Sequence, residues 1–171
     1  GENPEDAARR FVDSQKENYT LNPAYKLREG HNEPVWGSRE DMEWYARFEI
    51  ARLKILADMG LRGVIACFAT GNPGDFELWR WFVPAVQAAK QMNGILGLHE
   101  YSSPWVWWMS GKFQLNPNED AGDEGWTTLR YRMVMHKYLK PEGCDDVKIA
   151  ITEFGLARVG PVPQGASSGN W

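Results

Sequence analysis

The strongest constraint on this chain is its alternation of short apolar runs with longer amphipathic stretches. Gly63-Val64-Ile65-Ala66-Cys67-Phe68 is a continuous apolar run of strand length, stopped by Gly71-Asn72-Pro73-Gly74. Such a run suits a strand covered on both faces. Tyr25 to Gly30, Ile95 to Tyr101 and Val147 to Thr152 read as three further strands. The stretches between carry helix signals. Asn3 can cap a helix with Pro4 at its first position, reaching to about Glu17. Ser38 with Asp41 resembles a capping box, and Trp44, Tyr45, Phe48, Leu53, Leu56 and Met59 form one apolar helix face that stops at Gly60. Asp75 is placed to cap the next helix, where Pro84 predicts a break into Trp79 to Phe82 and Pro84 to Met92. A last helix is expected from about Thr127 to Leu139.

This order predicts an α/β fold with a parallel sheet and right-handed crossovers. Four strands are too few to close a (β/α)8 barrel, which takes about 250 residues. The 171-residue chain therefore reads as one partial barrel domain of the TIM-barrel type with about four βα units. The remaining strands would come from absent segments or a second chain, because open parallel edges invite aggregation. Neither an internal repeat nor a domain linker is evident. Val159 to Trp171, rich in Gly, Pro and Ser, reads as an irregular tail.

A formal net charge of -4 gives no electrostatic reason to expect nucleic acid or an anionic membrane as partner. No run approaches the roughly 18 apolar residues of a membrane span. The opening GENPEDAARR reads as neither a signal peptide nor a transit peptide, and without an initiator Met the chain is expected to be processed or excised. Cys67 belongs to the carboxyl end of one strand and Cys144 to the approach to another, so a parallel sheet keeps them apart and no disulfide is expected.

Three segments carry the chemistry, each where a strand should run out into a loop: Asn32-Glu33-Pro34, His99-Glu100-Tyr101 and Ile151-Thr152-Glu153-Phe154-Gly155. Only a fold that gathers successive strand ends on one rim brings Glu33 and Glu153 together, since they lie 120 residues apart. Strand alternation predicts that Ile149, Ile151 and Glu153 share a face, and that His99 and Tyr101 share one while Glu100 takes the other. Glu100 is thus expected to flank or support the site. Trp105, Trp107 and Trp108 follow the third strand, where they could stack on sugar rings or pack a long loop on itself.

In this order the segments resemble the middle of a clan A glycoside hydrolase, close to family 5, from the end of the third βα unit through strand seven. The resemblance covers nearly the whole chain. Asn32-Glu33-Pro34 is similar to the end of strand four, His99-Glu100-Tyr101 to the His-x-Tyr of strand six, and Thr152-Glu153-Phe154-Gly155 to the end of strand seven. It implies a retaining double-displacement hydrolase with Glu33 as acid/base and Glu153 as nucleophile. It further implies that Asn32 binds the sugar 2-hydroxyl, Tyr101 holds Glu153, and His99 lines the sugar subsite. No cofactor or catalytic metal is implied, and the partner is a carbohydrate whose identity and linkage stay open. An extracellular setting suits a polysaccharide-active enzyme, but no residue establishes it. Two alternatives stand beside this reading: a catalytically incompetent carbohydrate-binding partial barrel, and a metal-dependent hydrolase using His31, Glu33, His99 and Glu153.

Overall fold

The computed structural model describes residues 1–102 and 129–156. In chain order they form α1 (Pro4–Leu21), β1 (Leu27–Glu29), α2 (Arg39–Asp58), β2 (Arg62–Phe68), a 3-10 turn (Phe76–Leu78), α3 (Trp79–Gln91), β3 (Ile95–Ser102), α4 (Arg130–Val134) and β4 (Ile149–Leu156). All neighbouring strands are parallel, in the order β1-β2-β3-β4, and the sheet curls like half of a barrel. No helix among the described residues is long and apolar enough to cross a membrane.

Helix starts follow the capping signals. Asn3 Oδ1 accepts from the backbone N–H groups of Glu5 and Asp6, and Ser38 Oγ accepts from Asp41. Several expected boundaries shift. α1 continues to Leu21 because Tyr19 still buries its ring, and β1 shrinks to Leu27–Glu29. Pro84 does not break α3. Its missing N–H removes one bond, to the carbonyl of Arg80, while Phe82, Val83, Ala85 and Val86 keep one continuous buried surface. The last helix is described from Arg130, continues as a π turn over Met135–Leu139, and ends at Gly143 in a left-handed conformation. Thr127 lies outside the described residues, as does the expected tail from Val159 to Trp171.

One face of the sheet packs against α2 and α3. Phe68 of β2 meets Trp79 and Phe82 of α3 edge-on at centroid distances of 5.3 and 5.2 Å, and Tyr45 of α2 stacks on Phe82 at 5.5 Å. Fully burying each ring contributes about 1.5–3 kcal/mol. Within this core lies a buried ion pair: Arg52 Nε donates to Glu49 Oε2 at 2.7 Å, and its other nitrogens reach the carbonyls of Arg28 in β1 and Val64 in β2. A single guanidinium thereby ties α2 to two strands. The opposite face borders an open cleft of about 670 Å³ lined in part by Leu27, Glu29, Val64, Ile95, Ala150 and Thr152. Cys67 and Cys144 are both buried and unpaired with each other.

Candidate active site

Two irregularities of the sheet shape its carboxyl-terminal rim. In β2 the pairing with β3 steps from Ala66 to Phe68, leaving Cys67 as an extra residue, and Ala66 and Cys67 both adopt positive φ, 72° and 45°. The carbonyl of Cys67 accepts a hydrogen bond from the backbone N–H of Glu33 at 3.0 Å. Glu33 is itself left-handed, with φ 48°. Such conformations cost of order 1–3 kcal/mol in a non-glycine residue, and here one hydrogen bond joins two of the three, Glu33 and Cys67, where Glu33 enters the rim.

The second irregularity corrects the simple alternation expected for β4. Leu98 pairs with Ile151 and His99 with Glu153, so Thr152 is the extra residue. Paired residues of parallel strands share a face. Ile149, opposite Leu96, packs against the helix-covered core, and Ile151 lies on the same side, whereas Glu153 lies with His99 on the cleft side. Glu153 therefore does not share a face with Ile149 and Ile151. β4 also runs past its expected end at Thr152 to Leu156, which places Glu153 inside the paired strand.

Glu33, His99, Tyr101 and Glu153 meet on this rim. His99 Nδ1 lies 2.9 Å from Glu33 Oε1 and 3.7 Å from Glu153 Oε2, and the Tyr101 hydroxyl donates to Glu153 Oε2 at 2.9 Å. The His99 side chain is 1% exposed, against 42% and 39% for the two carboxylates. A shielded imidazole therefore sits beneath two solvent-facing acids. The hydrogen bond to Glu153, followed by burial and the negative charges of Glu153 and Glu33, pushes the Tyr101 hydroxyl above its ordinary value, which keeps it a donor. Gly155 makes room for the Tyr101 ring: a Cβ there would stand 3.1 Å from Tyr101 Cε1.

Glu100 takes the other face, as alternation predicts, and is buried. Its carboxylate accepts from the backbone N–H groups of Leu129 and Tyr131, which anchors the start of α4 to β3. Burial raises its carboxyl above the ordinary range, against the lowering effect of those two bonds. The Cys67 thiol is pushed up to about 12, first by burial and then by the charge of Glu29, so it is a neutral thiol and no nucleophile at physiological pH.

Asn32 is exposed and lines the cleft with Thr152 and Ala150. Trp105, Trp107 and Trp108 lie outside the described residues. Glu33, His99 and Glu153 each present one ligand atom within 4.8 Å of the others, a set that could hold a divalent cation. His31 is not in that set; its ring packs 4.8 Å from Phe11 and 4.9 Å from Phe48, and the resulting desolvation lowers its basicity. Sequence reasoning missed Thr70 and Asn72, which brace the rim: the Thr70 hydroxyl accepts from Tyr101 N–H and donates to the His99 carbonyl, and Asn72 Nδ2 donates to the Pro34 carbonyl. Nothing in their local sequence, a loop of ordinary turn residues, signals either role.

No protein-family model, curated protein or solved structure matches this chain.

Proposed function

We propose that the chain is the part of a (β/α)8-type glycoside hydrolase that carries both reacting carboxylates, and that it cleaves O-glycosidic bonds with retention of configuration. The observation that carries this reading is the Glu33–Glu153 pair, with an oxygen of each within 4.8 Å. Carboxyl groups about 5–5.5 Å apart suit direct attack by one of them, whereas an interposed water needs about 6.5–9.5 Å. The order of the three rim segments along the chain supports it further.

In the first step Glu153 attacks the anomeric carbon as the bond to the leaving oxygen breaks, and Glu33 gives that oxygen its proton. The attacking atom is Oε1, because Oε2 holds the Tyr101 hydroxyl. In the second step Glu33, now a carboxylate, takes a proton from water; the water oxygen bonds to the anomeric carbon and releases Glu153. His99 holds Glu33 through Oε1, which leaves Oε2 to hand over and retrieve the proton. A retaining mechanism uses one glutamate as acid and the other as nucleophile; here Glu33 faces the His99 imidazole and Glu153 the Tyr101 phenol. Asn32 is assigned to the sugar 2-hydroxyl, and Trp105, Trp107 and Trp108 to ring stacking.

Turnover of aryl β-glycosides and of soluble β-glucans and mannans, measured for the chain and for Glu33→Gln and Glu153→Gln, tests the reading. Hydrolysis of at least one substrate, lowered about 10²- to 10⁴-fold in each folded variant, is expected. Saturable glycan binding without turnover favours the binding-only partial barrel. Activity lost to chelator and restored by a divalent cation favours a metal hydrolase built on Glu33, His99 and Glu153.

A further inference from the structure

The pairing of β2 with β3 ends at Phe68 and Leu98, yet β3 continues through His99, Glu100 and Tyr101, the stretch that carries the rim chemistry. On the β2 side those residues have a side chain opposite them. Thr70 Oγ1 accepts from Tyr101 N–H at 2.6 Å and donates to the His99 carbonyl at 3.0 Å. One hydroxyl thus supplies both the acceptor and the donor that a further residue of β2 would have supplied. The residues on either side of this clamp are the two whose side chains touch the carboxylates, His99 on Glu33 and Tyr101 on Glu153. Two positions on, Asn72 Nδ2 holds the Pro34 carbonyl at 2.8 Å, next to Glu33. The β2–α3 connection is thereby bonded to both sides of the site.

We propose that Thr70 is a positioning residue: by bridging His99 and Tyr101 it sets the separation and aim of Glu33 and Glu153 while touching neither. The proposal builds on the reading of those glutamates as the reacting pair. Its geometric half, that Thr70 places His99 and Tyr101, can be measured without turnover.

The variants are Thr70→Val, which keeps the shape and removes the hydroxyl, and Thr70→Ser, which restores it. Hydrogen exchange at the Tyr101 amide and the nitrogen chemical shift of His99 Nδ1 are read in the full chain by NMR, together with kcat and KM on any substrate it hydrolyses. In Thr70→Val, Tyr101 is expected to lose its amide protection, the His99 signal to move, and kcat to fall roughly 10- to 100-fold with KM nearly unchanged. Thr70→Ser should return all three toward the starting values. A Thr70→Val chain that melts lower but keeps the His99 signal and kcat would make Thr70 a purely structural cap and overturn the proposal. If the NMR changes occur and are rescued by Ser while no glycoside is hydrolysed by any form, the placement stands and the hydrolase reading fails. If Thr70→Val does not fold, Thr70→Ala is read by the same measurements.

Discussion

His99 stands directly opposite Glu153 in the β3–β4 ladder because Thr152 is an extra residue in β4. The bulge puts a carboxylate on the cleft side immediately after a stretch whose Ile149 and Ile151 belong to the helix side. Bulges redirect side chains in this way at sheet rims. On the other flank, the β2 bulge at Cys67 offers its carbonyl to Glu33. The two acids are thus presented by irregularities in β2 and β4, on either side of the strand that carries His99 and Tyr101.

Removing the Tyr101 hydroxyl tests how Glu153 is held. A hydrogen bond to a charged group is worth about 1.5–3 kcal/mol, so Tyr101→Phe should lower kcat/KM roughly 10- to 100-fold. The ring still packs over Gly155, so the melting temperature should barely move. Because its bond to Glu153 raises the Tyr101 hydroxyl above its ordinary value of 10.0, the deficit should persist across the neutral and mildly alkaline range. Steady-state kinetics with a parallel thermal melt check both statements.

Gly155→Ala tests the same contact from the other strand. Its Cβ would lie 3.1 and 3.3 Å from two carbons of the Tyr101 ring, so the ring must shift by a few tenths of an ångström. The expected result is a loss of activity in the direction of Tyr101→Phe without loss of fold. Combined with Tyr101→Phe it should cost less than the two losses added together, because both act through one hydrogen bond.

The buried Glu49–Arg52 pair governs stability. Arg52→Met leaves the buried Glu49 carboxyl without its guanidinium partner and strips donors from the carbonyls of Arg28 and Val64, so it should cost about 3–5 kcal/mol in urea unfolding. Gly30→Ala should destabilise the same region, since its Cβ would come within 2.7 Å of Glu49 Oε1 and 3.0 Å of Arg52 Nη2. A smaller loss from replacing Glu49 and Arg52 together by apolar residues than from Arg52→Met alone is the expected signature of a desolvated pair.

Acid sensitivity is expected where the 3-10 turn meets the last helix. Hydrogen bonds from Arg80, Lys137 and Tyr138 hold the Glu77 carboxyl down from an ordinary 4.5 to about 2. A depressed carboxyl contributes stability that is present above the unfolded value and lost as pH falls through the folded one. Glu77→Gln should therefore be less stable than the parent above about pH 4.5, with the difference shrinking toward pH 2. Urea unfolding of both chains across that window reads this directly.

Much of this arrangement is legible in the amino-acid sequence. Capping residues such as Asn3 and Ser38, the apolar run ending at Phe68, and the helix stop at Gly60 are local signals, and the helices and parallel strands follow them. Glu33, His99, Tyr101 and Glu153 meet as the strand-end argument expects. What alternation misses is that Glu153 lies on the opposite side of β4 from Ile149 and Ile151, because a bulge depends on how the neighbouring strand pairs. The same limit hides Thr70 and the Glu49–Arg52 pair, whose partners come from other elements. Pro84 misleads for the opposite reason: its local cost is outweighed by the apolar surface that α3 buries on both sides of it.

The role of Glu153 as nucleophile is read most directly by mass spectrometry of the chain after incubation with a panel of activated 2-deoxy-2-fluoro-β-glycosides. These reagents slow breakdown of a glycosyl-enzyme, so a nucleophile becomes labelled while its reaction is under way. One glycosyl group per chain is expected, on the peptide that contains Glu153, and none in Glu153→Gln. A label on Glu33 or on any other residue, or hydrolysis with inverted configuration and no label at all, would contradict that role.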